Sequence, residues 1–191
     1  VARLAELQPV AMRLELKEGL SNSLIINDSY NSDIISLSIA LDYLNSVAGG
    51  RQQTLILSDI LQSGYPEAEL YVRVAELVAR SQVARLIGVG ENIRKYGKLF
   101  NIPSSFYPST DVCLASLTHE ETAGRLVLIK GNRDSQFERL SHALEMKNHT
   151  TSLETDLDAM IHNLNTHRAL LKPSTRIMAM VKAAGYGHGT Y

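Results

Sequence analysis

The chain has 191 residues, of which 45% are hydrophobic and 20% are charged, and this composition predicts a folded protein with a sizeable core. Lys and Arg number 19 against 20 Asp and Glu, so the formal charge of −1 argues against nonspecific binding to nucleic acid or to an anionic membrane. The single cysteine, Cys113, excludes an internal disulfide framework and favours the cytoplasm. The sequence contains no run of about 18 apolar residues, so no transmembrane helix is predicted.

Both ends of the chain are predicted to lie inside a longer polypeptide. The chain begins at Val1 without a basic and then apolar leader, and it stops in the glycine-rich stretch 185–191 without a capped helix. We therefore expect a fragment of a larger protein.

Short apolar runs alternate with helical patterns from about residue 10 to residue 147. The runs predicted as strands lie at residues 24–26, 54–57, 84–89 and 125–129. Because they are almost continuously apolar, they suit parallel strands that are buried on both faces. The sequence therefore predicts an α/β fold with a Rossmann-like, mostly parallel sheet and helices on both faces.

Helices are predicted between and after these strands, at residues 33–47, from Pro66 onward, after Gly90 and at 135–146. Ser32 or Asp33 is expected to cap the first of them. Its buried face is predicted to carry Ile35, Ile39, Leu44 and Val47.

The pattern starts again after residue 147. An extended piece at 152–155 precedes a helix at 156–171, and residues 176–181 are predicted to form a strand that carries Lys182 at its C-terminal end. The apolar face of this helix is predicted to carry Leu157, Met160, Ile161, Leu164 and Leu171. We divide the chain into the end of a preceding region at 1–9, a domain at 10–147 and the start of another domain at 148–191.

Polar clusters follow the predicted strands at residues 27–33, at Ser58 and Asp59, and at residues 130–133. Taken singly, they could be a helix-capping turn, a plain loop and a solvated basic turn, respectively. The carboxyl ends of parallel strands meet at one edge of a sheet, where ligands bind, so together the clusters favour a binding site. In the last cluster, Lys130 and Arg133 suit phosphate or carboxylate, and we expect both in a polar turn outside the core.

The first domain resembles the C-terminal domain of Mur ligases. The resemblance rests on the ordered segments 12–15 (Met-Arg-Leu-Glu), 26–33 (Ile-Asn-Asp-Ser-Tyr-Asn-Ser-Asp), 57–64 (Leu-Ser-Asp-Ile-Leu-Gln-Ser-Gly) and 130–133 (Lys-Gly-Asn-Arg). The resemblance is greatest for the family members that add D-alanyl-D-alanine to UDP-N-acetylmuramoyl-tripeptide. The sequence departs from the family at Asn27, Ser58 and Asn132, where Asp, Gly and Ser are common.

This resemblance implies an ATP-dependent ligase that activates a carboxylate as an acyl phosphate, which an amine then attacks. It implies that Asp28, Tyr30 and Asn31 line the nucleotide site and that Arg13 approaches the transferred phosphate. Lys130 and Arg133 would hold phosphate or the carboxylate of D-alanyl-D-alanine. No Gly-x-x-x-x-Gly-Lys-Ser/Thr loop occurs in the sequence, so Mg²⁺ is expected to be held mainly by a central ATPase domain outside this chain.

Residues 178–189, Met-Ala-Met-Val-Lys-Ala-Ala-Gly-Tyr-Gly-His-Gly, resemble the pyridoxal-phosphate lysine segment of alanine racemases. The resemblance implies an incomplete β-α-β start of a (β/α)8 barrel, with Lys182 as the catalytic and cofactor-binding lysine and Tyr186 at the cofactor phosphate. The order of the two domains resembles bifunctional ligase–racemase fusions, in which alanine is the racemase substrate. Because a barrel pocket needs walls from further strands, we expect this chain alone to bind no pyridoxal phosphate and to be inactive.

The main alternative is a noncatalytic Rossmann-like domain that binds nucleotide or a partner and has lost the chemistry. No metal site is predicted, because the remaining histidines lack the spacing of metal ligands to a carboxylate or cysteine. They are His119, His142, His149, His162 and His167. A phosphate-loop domain on the same polypeptide would favour the enzyme.

Overall fold

The structure is a computed structural model that describes residues 12–61, 63–146 and 156–180. The chain divides into two compact units between Met146 and Lys147. The first unit contains a six-stranded sheet, and the described part of the second contains one helix. In the part of the chain that the structure describes, no helix is both long enough and apolar enough to cross a membrane.

The sheet has the strand order β1-β2-β6-β3-β4-β5. Its strands are β1 (Glu15–Glu18), β2 (Leu24–Asp28), β3 (Gln53–Ser58), β4 (Val83–Val89), β5 (Ser104–Tyr107) and β6 (Leu126–Lys130). β1 pairs antiparallel with β2, and every other pair of neighbours is parallel. The mostly parallel sheet is therefore confirmed, and each of the predicted strands of this unit is present.

Alternate residues of the strands point to opposite faces and build two separate cores. The helices are α1 (Ile34–Ser46), α2 (Glu67–Arg80), α3 (Glu91–Lys95), α4 (Thr110–Ser116) and α5 (Glu138–Leu144). Ile26 belongs to the core beneath α1 and α2, whereas its neighbour Ile25 belongs to the core beneath α4 and α5. The prediction of helices on both faces is confirmed, and this burial explains the continuously apolar strands.

Among the described strands and α-helices of this unit, three were not predicted: β1, β5 and α4. The two strands are four-residue edge strands with only partial burial, so neither carries a continuous apolar run. The helix is only seven residues long, but the Ser109 side chain accepts a hydrogen bond from the Val112 backbone N–H. The helix-capping residue Ser109, which follows Pro108, was the sequence signal that could have predicted α4.

The predicted buried face of α1 is confirmed at Leu44, which is fully buried, and Val47 is half-buried, but the prediction is wrong at Ile35 and Ile39. Ile35 is 71% exposed and Ile39 is 56% exposed, whereas Leu37 and Leu41 are buried. Apolar residues occur almost all round this helix, so its periodicity does not select one face, and the packing of the helix on the sheet does. Asp33 caps α1 as expected, through hydrogen bonds from the N–H groups of Ile35 and Ser36.

The last helix of the first unit is shorter than predicted. Residues Arg133–Ser135 form a separate 3-10 turn, and Gln136 then adopts a left-handed conformation with φ of 52°. A continuous right-handed helix from residue 135 cannot pass through such a residue, so α5 begins at Glu138. Phe137 and Leu140 are buried.

The second unit has one described helix, α6 (Leu157–Ala169), capped by the Asp156 side chain on the Ala159 N–H. Its predicted apolar face is formed by side chains that are between 39% and 61% exposed. Residues 175–180 have no regular secondary structure, so the strand predicted at 176–181 is not formed over its described part. A parallel strand requires a hydrogen-bonded neighbour, and the described part of this unit provides none. The predicted extended piece at 152–155 lies outside the described residues.

Candidate functional site

The sheet changes its winding direction on both sides of β6. Helix α1 leaves β2 over one face of the sheet, whereas α5 follows β6 over the other face. The carboxyl ends of β2 and β6 therefore border a crevice between helices that leave over opposite faces, which is the usual ligand position in open α/β sheets. Asp28 and Lys130 are paired in register at these two ends.

Lys130 forms a buried ion pair with Asp28. Its Nζ lies 2.7 Å from Asp28 Oδ2, and the two side chains are 1% and 12% exposed. Nζ also donates a hydrogen bond of 2.5 Å to the Asn31 carbonyl oxygen. The expectation that Lys130 lies in a polar turn is wrong, because it is the last residue of β6 and belongs to the buried side chains. These contacts use two of its three N–H donors and compensate the cost of burying an ammonium group.

Two cationic side chains contact the Tyr30 ring beside this pair. The guanidinium carbon of Arg13 lies 4.5 Å from the centre of the Tyr30 ring, and that of Arg133 lies 4.3 Å from it. Both distances are within the range of cation–π contacts. Arg13 precedes β1 and Arg133 follows β6, so the fold brings together two positive charges that are far apart in sequence. An anion placed here would relieve their mutual repulsion.

The start of α1 closes the crevice. Asn31 donates a hydrogen bond of 2.9 Å from Nδ2 to Asp33 Oδ2, while Asp33 caps the helix. Partial burial opposes ionisation of Asp33, but the hydrogen bonds from Ser36 and Ile35 and the charge of Lys130 outweigh it and lower the Asp33 pKa. The segment 27–33 thus combines the helix cap, Asp33, with residues that face the crevice.

A cavity of about 320 Å³ occupies the crevice. It is lined by Arg13, Leu14, Asp28, Tyr30, Asn31, Ser36, Ile39 and Lys130. The structure therefore brings together five of the residues predicted for the ligase site, and Arg133 reaches the same place through its contact with Tyr30. Leu14, Ser36 and Ile39 were not predicted as site residues, because nothing in the sequence distinguishes an apolar or helix-capping residue that lines a cavity from one that does not.

Asp59 lies at the same edge of the sheet but in a different cavity, of about 460 Å³, at the ends of β3 to β5. Its carboxylate accepts hydrogen bonds from the Tyr71 hydroxyl and from the backbone N–H groups of Asn92 and Ile93. Burial first, and then the charge of Asp59, raise the Tyr71 pKa, so this hydroxyl remains a donor. Asp59 is thus fully engaged in holding α3. The wall of this cavity also includes Thr110, Asp111 and Arg139.

Other candidate groups do not form a site in the described residues. Burial and then the charge of Glu121 raise the pKa of the Cys113 thiol to about 12, so Cys113 is no thiolate nucleophile at neutral pH. Within residues 12–61, 63–146 and 156–180, no group of three or more His, Cys, Asp or Glu side chains is arranged to hold a metal ion. Lys182 and Tyr186 lie outside the described residues.

Comparisons with curated proteins match the two parts of the chain to different enzymes. The chain is 26% identical over 145 residues to the UDP-N-acetylmuramoyl-tripeptide--D-alanyl-D-alanine ligase of Escherichia coli (strain K12), a match that covers 75% of this chain and 32% of the ligase. It is 58% identical over 36 residues to the alanine racemase of Desulfosudis oleivorans, which covers 19% of this chain and 9% of the racemase. Residues 155–191 match the family described as alanine racemase, N-terminal domain.

Solved structures show the same fold as the first unit. MurF from Acinetobacter baumannii has a TM-score of 0.63 and 20% identity, over 74% of this chain and 31% of that chain. The MurF ligase from Thermotoga maritima in complex with ADP has a TM-score of 0.62 and 17% identity, over 75% of this chain and 32% of that chain.

The first unit thus has the Rossmann-like fold found in the C-terminal region of Mur ligases. The chain is thus similar to MurF ligases over about three quarters of its length, and residues 155–191 match the alanine racemase N-terminal domain, as the sequence resemblance predicted. It spans about a third of the length of the curated ligases that it matches.

Proposed function

We propose that this chain is part of a bifunctional enzyme of peptidoglycan-precursor synthesis in the cytoplasm. Its ligase part would join D-alanyl-D-alanine to UDP-N-acetylmuramoyl-tripeptide with ATP, and its racemase part would interconvert the enantiomers of alanine with pyridoxal phosphate. The observation that carries the ligase proposal is the convergence of Arg13 and Arg133 on Tyr30, beside the buried Lys130, at a switch point of the sheet. The homology to MurF ligases supports it.

The charges of the site suit phosphate chemistry. The ligase reaction transfers the γ-phosphoryl group of ATP to a carboxylate; the amine then attacks the acyl carbonyl, loses a proton and expels phosphate. Negative charge develops on the leaving oxygen of ADP in the first step and of phosphate in the second, so fixed cations beside these oxygens lower the barrier. Arg13 and Arg133 would supply these cations, and the guanidinium fork matches two phosphate oxygens at once.

Lys130 would contribute mainly by orientation. Its ammonium group is already neutralised by Asp28 and hydrogen-bonded to the Asn31 carbonyl, so it keeps the loop after β2 fixed to the end of β6. Its third N–H would be left for a phosphate oxygen or for the carboxylate of D-alanyl-D-alanine. Asp28, Tyr30 and Asn31 would then form the nucleotide side of the cavity, whereas Mg²⁺ would be held mainly by a central ATPase domain.

The ligase proposal is tested by measuring ligation with a polypeptide that contains this chain and a phosphate-loop domain. Arg133→Ala and Arg13→Ala are expected to lower kcat/KM by about 10²-fold or more, since each removes a positive charge that would lie beside the transferred phosphate. Arg80→Ala serves as the matched control, because Arg80 is 79% exposed at the far end of α2. Full activity in both site variants would contradict the proposal, and nucleotide binding without ligation in the unsubstituted protein would favour the noncatalytic alternative.

In the racemase part, pyridoxal phosphate would be held by Lys182 and Tyr186, as the homology to alanine racemases suggests. The cofactor supplies the electron sink that acidifies the α-proton of alanine, and Lys182 would move that proton. Lys182→Ala is expected to abolish racemisation by the longer polypeptide while ligation continues. For the 191-residue chain alone, a stoichiometric absorbance change on adding the cofactor that is lost in Lys182→Ala would show that it binds pyridoxal phosphate, against our expectation.

A further inference from the structure

Asn132 joins the loops that follow β3 and β6. Its Nδ2 donates a hydrogen bond of 3.2 Å to the Asp59 carbonyl oxygen, and its Oδ1 accepts one of 2.9 Å from the Ser135 N–H. The second bond caps the 3-10 turn Arg133–Ser135, so the residue after Asn132 begins that turn. One side chain therefore both shapes the turn that carries Arg133 and fastens it to a neighbouring strand.

The loop to which Asn132 is fastened is held rigidly. The Asp59 carboxylate accepts hydrogen bonds from Tyr71 Oη at 3.0 Å, from Asn92 N at 3.1 Å and from Ile93 N at 2.7 Å. Tyr71 itself is fully buried. A carboxylate with three donors and a buried partner does not move freely, so the Asp59 carbonyl is a fixed reference point for the turn.

Arg133 needs such a support. Its guanidinium lies 4.3 Å from the centre of the Tyr30 ring, but the residue is exposed. An exposed cation–π contact is weak, and it contributes less than the rotamer entropy that an ordered arginine side chain loses. The stack alone therefore does not fix Arg133, and the position of its backbone decides how often the contact forms.

We propose that Asn132 is a positioning residue that holds Arg133 over Tyr30 through its hydrogen bond to the Asp59 carbonyl. The position of Arg133 follows from the geometry alone, whereas its consequence for anion binding rests on the proposed function. Asn132 acts through Arg133 and need not touch the ligand. Loss of its amide donor should therefore mimic, in part, the loss of the Arg133 guanidinium.

Asn132→Ser separates the two hydrogen bonds of Asn132. A serine hydroxyl keeps a neutral cap acceptor for the Ser135 N–H. The serine Oγ lies one bond closer to the backbone than Asn132 Nδ2, so we expect it to cap the turn without reaching the Asp59 carbonyl. That carbonyl keeps a hydrogen bond of 2.9 Å from Ser58 Oγ, so the substitution leaves no unpaired acceptor and should not unfold the protein. Asn101→Ser, at an exposed position before β5, is the matched control.

The positioning claim is tested without a ligand, by NMR of the whole 191-residue chain. In the unsubstituted chain, the ring current of Tyr30 should displace the chemical shifts of the Arg133 side-chain protons. The Tyr30→Leu variant, which lacks the ring, identifies that displacement. Asn132→Ser is expected to remove more than half of it, while the displacement at Arg13 and the unfolding midpoint stay unchanged. Asn101→Ser should change neither. An undiminished displacement at Arg133 in Asn132→Ser would overturn the proposal.

The consequence is tested by titrating the same variants with a nonhydrolysable ATP analogue. Asn132→Ser should raise Kd by about three- to tenfold, the effect of losing one hydrogen bond, and should raise it no further when Arg133→Ala is already present. An additive effect in the double variant would show that Asn132 acts independently of Arg133 and would overturn the proposal. If the unsubstituted chain does not bind the analogue, the proposed nucleotide site fails, and the ring-current measurement still decides whether Asn132 positions Arg133.

Discussion

Lys130 Nζ lies 2.7 Å from Asp28 Oδ2, between the last residues of two adjacent parallel strands that are paired in register. The two residues lie near opposite ends of the sequence of the first unit, and only the insertion of β6 beside β2 makes them neighbours in space. A buried charge that loses its partner is expensive, whereas replacing both members of a pair costs much less. This relationship therefore decides how the site responds to substitution.

Removal of the ammonium group should destabilise the first unit strongly. Lys130→Met is expected to lower the free energy of unfolding by about 3–5 kcal/mol, because it leaves the Asp28 carboxylate buried without its cation. Adding Asp28→Asn should restore at least about 1 kcal/mol of this loss. Urea unfolding measures both changes.

The control for this pair is Lys95→Met, which removes a cation from an exposed pair with Glu67, whose side chains are 64% and 41% exposed. It should change stability by no more than about 0.5 kcal/mol. Equal losses in Lys130→Met and Lys95→Met would show that the buried pair is not the stabilising feature described here.

Gly90 is expected to tolerate no side chain. A Cβ at Gly90 would lie 2.4 Å from the Asp59 carboxyl carbon, and the backbone φ there is +135°. Gly90→Ala should therefore cost at least about 2 kcal/mol more than Gly50→Ala, where φ is +81° but no atom lies within 4 Å of the added carbon. Thermal unfolding of the two variants makes the comparison, and similar losses would mean that backbone strain alone explains the glycine.

The Asp33 cap should make stability depend on acid pH. The hydrogen bonds from Ser36 and Ile35 hold its pKa below the ordinary value of 3.8, so the folded state favours the ionised form. This stabilisation is fully present above pH 3.8 and is lost as the pH falls through the lower pKa of the folded state. Asp33→Ala is expected to cost about 1 kcal/mol at pH 7 and less at pH 3. A cost that does not change with pH would contradict the assignment of the charge to the cap.

The two sides of α1 should differ sharply in their response to truncation. Leu37 is fully buried, so Leu37→Ala is expected to cost about 2–5 kcal/mol. Ile35 is 71% exposed, so Ile35→Ala should stay within about 0.5 kcal/mol of the unsubstituted chain. Urea unfolding distinguishes them, and a large loss at Ile35 would contradict its exposed position on α1.

The sequence by itself determined the sheet class, the central strands and the edge at which the polar clusters meet. Strands β2, β3, β4 and β6 are buried on both faces, so each had to be a nearly continuous apolar run, and such a run is visible without any knowledge of its neighbours. Their carboxyl ends share one edge because parallel pairing requires it. Edge strands β1 and β5 pack on fewer neighbours and left no comparable pattern.

Only the tertiary structure decided which polar residues act together. The burial of Lys130 depends on Asp28 and Asn31, and the contacts of Arg13 and Arg133 depend on Tyr30, across separations that no local pattern encodes. The same applies to Asp59, whose carboxylate is occupied by Tyr71 and the start of α3 and so is not free for a ligand. Local propensity and periodicity report burial and backbone geometry, whereas the pairing of charges is set by strand order, which is a property of the whole sheet.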